Sequence, residues 1–233
     1  MDSTRSTTPV DHHYYEVAKP NSLAERILSH ARDRIYDDFV RIAAPRAHET
    51  ILDVGISDVI GVAANVLERR YPHSEMITAA GLGAAKEFQA AFPTVAYHQI
   101  LPNKKLPFES GQFDIVTSNA VLEHVGSFLN QREFMAELCR VGRRVYVTVP
   151  YRYFPIEHHT GIPLVHWTET GFRLACQILG KSKWSDKSNL IMMTKGRLVS
   201  TLDPNYIMKI GYTGLALGPL SSNIYCYIEN THL

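Results

Sequence analysis

The chain predicts an α/β domain built on a doubly wound, mostly parallel sheet of seven strands, and three observations lead there. Between Thr50 and Pro150, apolar runs of strand length alternate with amphipathic stretches of helical period. The run Ile51-Leu52-Asp53-Val54 stops at Gly55, as a buried strand does when its chain turns back toward a helix. At 233 residues with 45% hydrophobic and 20% charged content, the chain is long enough for one ample core.

The elements follow in order. Residues 1–20 are polar, contain Pro9, Pro20 and the cluster His12-His13-Tyr14-Tyr15, and read as a flexible arm or as a lid that orders over a ligand. Residues 21–233 read as a single domain. Asn21 or Ser22 caps a helix whose Leu23, Ile27, Leu28, Ile35, Phe39, Val40 and Ile42 recur at three- and four-residue steps, until Pro45 ends it. Strands are expected at 50–54, 75–79, 95–100, 113–118 and 143–149. Helices are expected at 60–70, 83–91 and 128–139, with Pro72, Pro93 and Pro150 as stops. Such alternation gives parallel strands with right-handed crossovers. The tail changes rhythm: 206–210 and 223–228 read as two strands joined by a glycine-rich connection through Gly211, Gly214, Gly218 and Pro219.

In such sheets ligands bind beyond the carboxyl ends of the strands, which places Gly55, Gly81, Asn119 and Pro150 around one crevice. With 24 basic against 23 acidic residues, the chain has no electrostatic footprint for nucleic acid, and a small-molecule partner is expected. Cys139, Cys176 and Cys226 have no metal-ligand spacing and read as buried thiols in a reducing compartment. No apolar run approaches the roughly 20 residues of a membrane span, and the first residues lack the apolar core of a signal peptide, so a cytoplasmic location is expected. Nothing in the sequence addresses the oligomeric state.

The densest chemistry follows Pro150, in Tyr151-Arg152-Tyr153-Phe154-Pro155-Ile156-Glu157-His158-His159 and then His166-Trp167. Aromatic walls with a few polar groups suit an organic substrate. Glu157, His158 and His159 are the candidate catalytic residues, with imidazole as the general base for a hydroxyl acceptor. The same residues also resemble a metal ligand set, but no HExxH spacing exists and Pro155 and Pro163 break any helix that would align them. No metal is therefore expected.

Ile51-Leu52-Asp53-Val54-Gly55, Leu106-Pro107-Phe108, Phe113-Asp114-Ile115-Val116, Val121-Leu122-Glu123-His124-Val125 and Val145-Tyr146-Val147-Thr148-Val149-Pro150 stand in an order and spacing that resembles class I S-adenosylmethionine-dependent methyltransferases, most closely the small type 11 branch. The resemblance implies the Rossmann-like methyltransferase fold with the tail as a closing antiparallel hairpin. It also implies S-adenosylmethionine as cofactor and methyl transfer to an oxygen or nitrogen of a small-molecule or glycan-like acceptor. Asp53 would serve the methionine ammonium, Gly55 and Ser57 the loop beneath the cofactor, and Gly81 and Leu82 its ribose. Asn103 would take the adenine amino group beside Leu106, and Asn119, Ala120 and His124 would line the sulfonium end. The chain departs from the family at two points: one of three loop glycines is in place, and Met76-Ile77-Thr78-Ala79-Ala80-Gly81 ends on small neutral residues where a ribose carboxylate is usual. Those departures keep a methyltransferase-like binding protein without turnover open as the alternative. A nicotinamide-dependent oxidoreductase on the same layout is a third reading, weakened by the absence of GxGxxG at Gly55.

Overall fold

In the computed structural model, which describes residues 23–61, 63–217 and 219–230, the strands assemble into one seven-stranded sheet of order β3-β2-β1-β4-β5-β7-β6. The strands are β1 (Ile51–Val54), β2 (Ile77–Leu82), β3 (Ala96–Ile100), β4 (Phe113–Asn119), β5 (Gly142–Pro150), β6 (Ile207–Leu217) and β7 (Leu220–Glu229). The first five pair in parallel, and β7 enters antiparallel between β5 and β6. The order reverses between β1 and β4, so the carboxyl ends of those strands flank the switch point where doubly wound sheets hold ligands. The expected arm over residues 1–20 lies outside the described residues.

Continuous apolar strands are what a sheet covered on both faces requires. Leu52, Val116, Val145 and Val147 pack on one side with Met135, Leu138 and Cys139 of α4 (Phe128–Val141). Their neighbours Ile51, Ile115 and Tyr146 point to the other side, against Ile35 and Phe39 of α1 (Leu23–Ala43), Leu67 of α2 (Val66–Arg70) and Phe88 of α3 (Lys86–Ala91). All three cysteines are buried free thiols. Among the described residues, no helix is long and apolar enough to cross a membrane.

Two differences from the expected elements have physical causes. The glycine-rich stretch expected as a connection is β-strand: a Cβ at Gly211 would lie 2.5 Å from the Tyr225 ring, so that glycine lets a ring lie flat against the neighbouring strand. Gly214, at φ +79°, sits where the β6–β7 register shifts between Thr213 and Ala216, as a bulge requires. The second difference is the stretch 151–206, whose periodicity assigned no element. It forms α5 (Glu169–Ile178), α6 (Lys195–Ser200) and a satellite core of Ile162, Phe172, Cys176, Trp184 and Leu190 beyond β5.

Candidate active site

Two groups of residues meet at the carboxyl edge of the sheet. The first surrounds Gly55, which has φ +101°, and a Cβ there would lie 2.2 Å from Val121 Cγ2. The glycine is thus demanded by its backbone angle and by the seat of the β4 loop against it. The amides that follow are engaged within the protein. Gly55 and Ile56 donate to the Ala80 carbonyl (2.7 and 3.4 Å), Ser57 to Asn65 Oδ1 (3.0 Å) and Val59 to Ser57 Oγ (3.1 Å). The helix expected at 60–70 begins at Val66, where Asn65 takes a left-handed φ of 48° and clasps Ser57 by its N–H and its carbonyl. Among the described residues, no helix N-terminus therefore abuts Gly55.

Beneath this loop lies an acid pair that sequence reasoning half missed. Asp53 keeps some surface at the crevice but is surrounded by protein, and burial, with Glu68 beside it, pushes its pKa up to about 7. Glu68 is 4% exposed with no hydrogen bond to either oxygen among the described residues, and burial followed by the Asp53 charge raises it as well. The only signal for Glu68 was a carboxylate on the inward face of a short helix next to Leu67.

The remaining cofactor-side residues divide. Gly81 and Gly83 point their carbonyls at the Tyr97 hydroxyl (3.0 and 2.7 Å), and Leu82 is exposed at the same strand end. Asn103 is exposed in a turn at φ +53°. Asn119 receives the Thr148 hydroxyl on its Oδ1, and Ala120, at φ +55°, donates to the Thr148 carbonyl at 2.9 Å, which together fix the bend after β4. Leu106 is not brought to the crevice: its side chain is in the core, its N–H bonds Glu137 and its carbonyl accepts from Arg140.

The second group lies beyond β4 and β5, and His124 belongs to it. Residues 156–163 form a tight hairpin closed by the Ile156–Pro163 bridge, with Gly161 at φ +69°. Inside it Glu157, 4% exposed, accepts from His159 Nδ1 (2.8 Å), the His159 amide (3.0 Å), and the Thr160 amide and hydroxyl (2.6 Å each). Burial alone would raise this carboxyl, but the His159 and Thr160 partners outweigh it and hold it down at about 2. Burial opposes a charge on His159, yet the Glu157 hydrogen bond and charge, with Glu123 behind them, raise its pKa. His159 Nε2 faces His124 Nε2 at 3.1 Å, and His124 Nδ1 donates to the Asn189 carbonyl at 2.7 Å. Burial and then the His159 charge lower His124 to about 4.

Glu123, 1% exposed, completes the cluster with neither oxygen hydrogen-bonded among the described residues, and burial pushes its pKa up to about 7. Trp184 covers the pair, its ring 4.9 Å from that of His159. Beside the cluster lies a narrow cleft of about 10 Å³, room for about one water molecule, whose walls include Tyr151, Arg152, His158, His166 and Met193. His158 is an exposed residue at the wall of this cleft, its ring 5.7 Å from that of Phe154. Arg32 of α1 reaches the same edge, donating to the Ala63 carbonyl. Burial lowers its pKa against the opposing pull of Glu123. Neither Arg32 nor Trp184 carried a motif that would have marked it.

Residues 52–144 match the family described as a methyltransferase domain. Solved structures share the fold at low identity. A SAM dependent methyltransferase from Aquifex aeolicus aligns at TM-score 0.52 and 13% identity, over 86% of this chain and 92% of that one. The PH0226 protein from Pyrococcus horikoshii OT3 aligns at TM-score 0.58 and 12% identity, over 94% and 96%. The trans-methyltransferase CalH, solved in complex with SAH, aligns at TM-score 0.56 and 15% identity, over 92% of this chain and 61% of that one. Among proteins of curated function, none matches the sequence.

Proposed function

We propose that this chain is a class I S-adenosylmethionine-dependent methyltransferase, a reading supported by the matched domain and the shared fold, and that it methylates an oxygen or nitrogen of a small-molecule or glycan-like acceptor at the cleft beyond β5. The observation that carries the acceptor reading is the position of that cleft. It lies beyond the carboxyl ends of β4 and β5, where Pro150 and Tyr151 meet Arg152, His158 and His166.

The residues fit the cofactor at its amino-acid end. Asp53, half-buried at the crevice, and the buried Glu68 lie side by side, an environment an ammonium group would satisfy. At the ribose end the carbonyls of Gly81 and Gly83 face Tyr97, and no carboxylate ends β2, so affinity is expected to be modest. When bound, S-adenosylmethionine supplies a methyl group already activated on a sulfonium. The protein's work is then to hold the acceptor in line, exclude water and take up a proton. Asn119 and Ala120 shape the floor between the two groups. His158 is the base in this reading, because it stands at the wall of the cleft. Glu157 and His159 act as positioning residues, since the His159 nitrogens face Glu157 and His124.

Titration calorimetry with S-adenosylmethionine, followed by a screen of hydroxylated and amino acceptors against labelled cofactor, tests the reading. A dissociation constant of about tens of micromolar, with label transferred to an acceptor, supports it. Cofactor binding with no transfer to any acceptor favours the second reading, a methyltransferase-like binding protein. The internal pairing of the Gly55, Ile56, Ser57 and Val59 amides favours that alternative. Absence of binding at millimolar cofactor removes both.

A further inference from the structure

We infer that Glu123, His124 and His159 form a binding site for one divalent transition-metal ion of the zinc class. The ligand atoms of the three side chains lie within 4.8 Å of one another. Two observations point inward from independent directions. His159 Nδ1 donates to the Glu157 carboxylate at 2.8 Å and His124 Nδ1 donates to the Asn189 carbonyl at 2.7 Å, so both rings carry their proton on the outer nitrogen. Their Nε2 atoms therefore converge, 3.1 Å apart. An outer nitrogen hydrogen-bonded to a carboxylate or a backbone carbonyl is the arrangement that orients metal-bound imidazole and fixes its tautomer. Zinc–nitrogen bonds of about 2.0–2.1 Å at angles between 90° and 109° set two nitrogens about 2.9–3.4 Å apart, and the observed separation falls inside that range.

The second observation is Glu123. It is 1% exposed, neither oxygen has a hydrogen-bond partner among the described residues, and its Oε1 lies 3.9 Å from His124 Nε2, so the carboxylate closes inward when it ligates. A buried carboxylate left without a donor is costly, and a cation between it and the two imidazoles removes that cost. A single proton shared between the two Nε2 atoms explains the histidine contact but leaves Glu123 unsatisfied.

The sequence argued against a metal because no helix could align the ligands. The fold aligns them from two loops instead: Glu123 and His124 follow β4, and His159 stands in the hairpin after β5. Trp184 closes one side of the cluster, while the cleft bounded by Tyr151, Arg152 and His158 adjoins another. Three protein ligands beside a cleft leave a coordination position for an outside oxygen, as in catalytic rather than structural zinc sites. An acceptor hydroxyl there would be made more acidic by the ion. That last role rests on the methyl-transfer reading, whereas the ion's binding does not.

The test uses the full chain without an affinity tag, stripped by chelator and titrated with Co²⁺ in the absence of cofactor and acceptor. Visible ligand-field absorption should grow to one equivalent and be displaced by Zn²⁺, and Zn²⁺ should raise the thermal unfolding midpoint. His124→Asn and His159→Asn should abolish the band, Glu123→Gln should weaken binding about tenfold or more, and His158→Ala should leave it unchanged. Circular dichroism establishes that each variant is folded. Should His159→Asn fail to fold for want of its Glu157 contact, His124→Asn and Glu123→Gln carry the test. No cobalt band in folded wild type, or a band that survives His124→Asn, overturns the site; the second result would place the ion on other histidines. Failure here leaves cofactor calorimetry untouched, and a negative calorimetry result leaves the cobalt band untouched, so the two readings fail separately.

Discussion

The two sides of the crevice are built on opposite principles. Around Gly55 the Gly55, Ile56, Ser57 and Val59 amides are bonded to protein acceptors, the glycine is filled against by Val121, and beside them lie two carboxyls, Asp53 and Glu68, whose pKa values burial raises. Beyond β5 the reverse holds: Glu157 accepts two hydrogen bonds from His159 and two from Thr160, and Glu123 and two imidazoles converge with their polar atoms inward. The loop after β1 is a packing element, while the loops after β4 and β5 concentrate the polar chemistry. The proposed methyl transfer is compatible with that division, because an activated methyl would come with the cofactor and positioning of the acceptor would supply much of the rate.

The largest effect that would sharpen this contrast is on turnover. His158→Ala should lower the rate by about 10²–10⁴ while the cofactor dissociation constant stays within about twofold of wild type, in single-turnover and calorimetric assays. Equal losses in rate and cofactor affinity would show that the two sides are not separable.

Next in size is Gly55→Val. The positive φ and the overlap with Val121 should cost about 2–6 kcal/mol in denaturant unfolding, and Val121→Ala in the same chain should recover part of it. Undiminished stability of the single variant would break the claim that this glycine serves packing.

A smaller effect concerns the acid pair as a cation site. Glu68→Gln should weaken S-adenosylmethionine binding by about 1–2 kcal/mol. Binding to wild type near pH 6.5 should release protons, measured by calorimetry in buffers of different ionisation enthalpy, because an ammonium group lowers the raised Asp53 and Glu68 values. Proton uptake instead would remove the pair from the cofactor site.

The smallest is a stability difference with pH. Asp53 is raised in the fold to about 7 from an ordinary value of 3.8, so its contribution is fully present below about pH 4 and is lost as pH climbs toward 7. Glu68→Gln relieves the shared charge. Its unfolding free energy relative to wild type should therefore improve between pH 5 and pH 8, by an amount on the order of 1 kcal/mol. A difference independent of pH would mean the two carboxyls do not share a proton.

Sequence by itself determined the sheet and most of its order of elements. Paired neighbours such as Ile51 and Leu52, or Ile115 and Val116, are both apolar because both faces of the sheet are covered, and that pattern is local. It also marked Asp53, Gly55, Asn119 and the Glu157-His158-His159 run as residues at strand ends. It did not separate β6 from its supposed connection, because Gly211 and Gly214 read as turn residues until Tyr225 and the bulge are seen beside them. Only the tertiary structure decided what the marked residues touch. His124 and His159 are 35 positions apart and meet because β4 and β5 are neighbours in the sheet, while Val121 closes on Gly55 because β4 also lies beside β1. Strand alternation is written in a few consecutive residues, but contacts between loops depend on the order of strands in the sheet, and no short stretch of chain encodes that order.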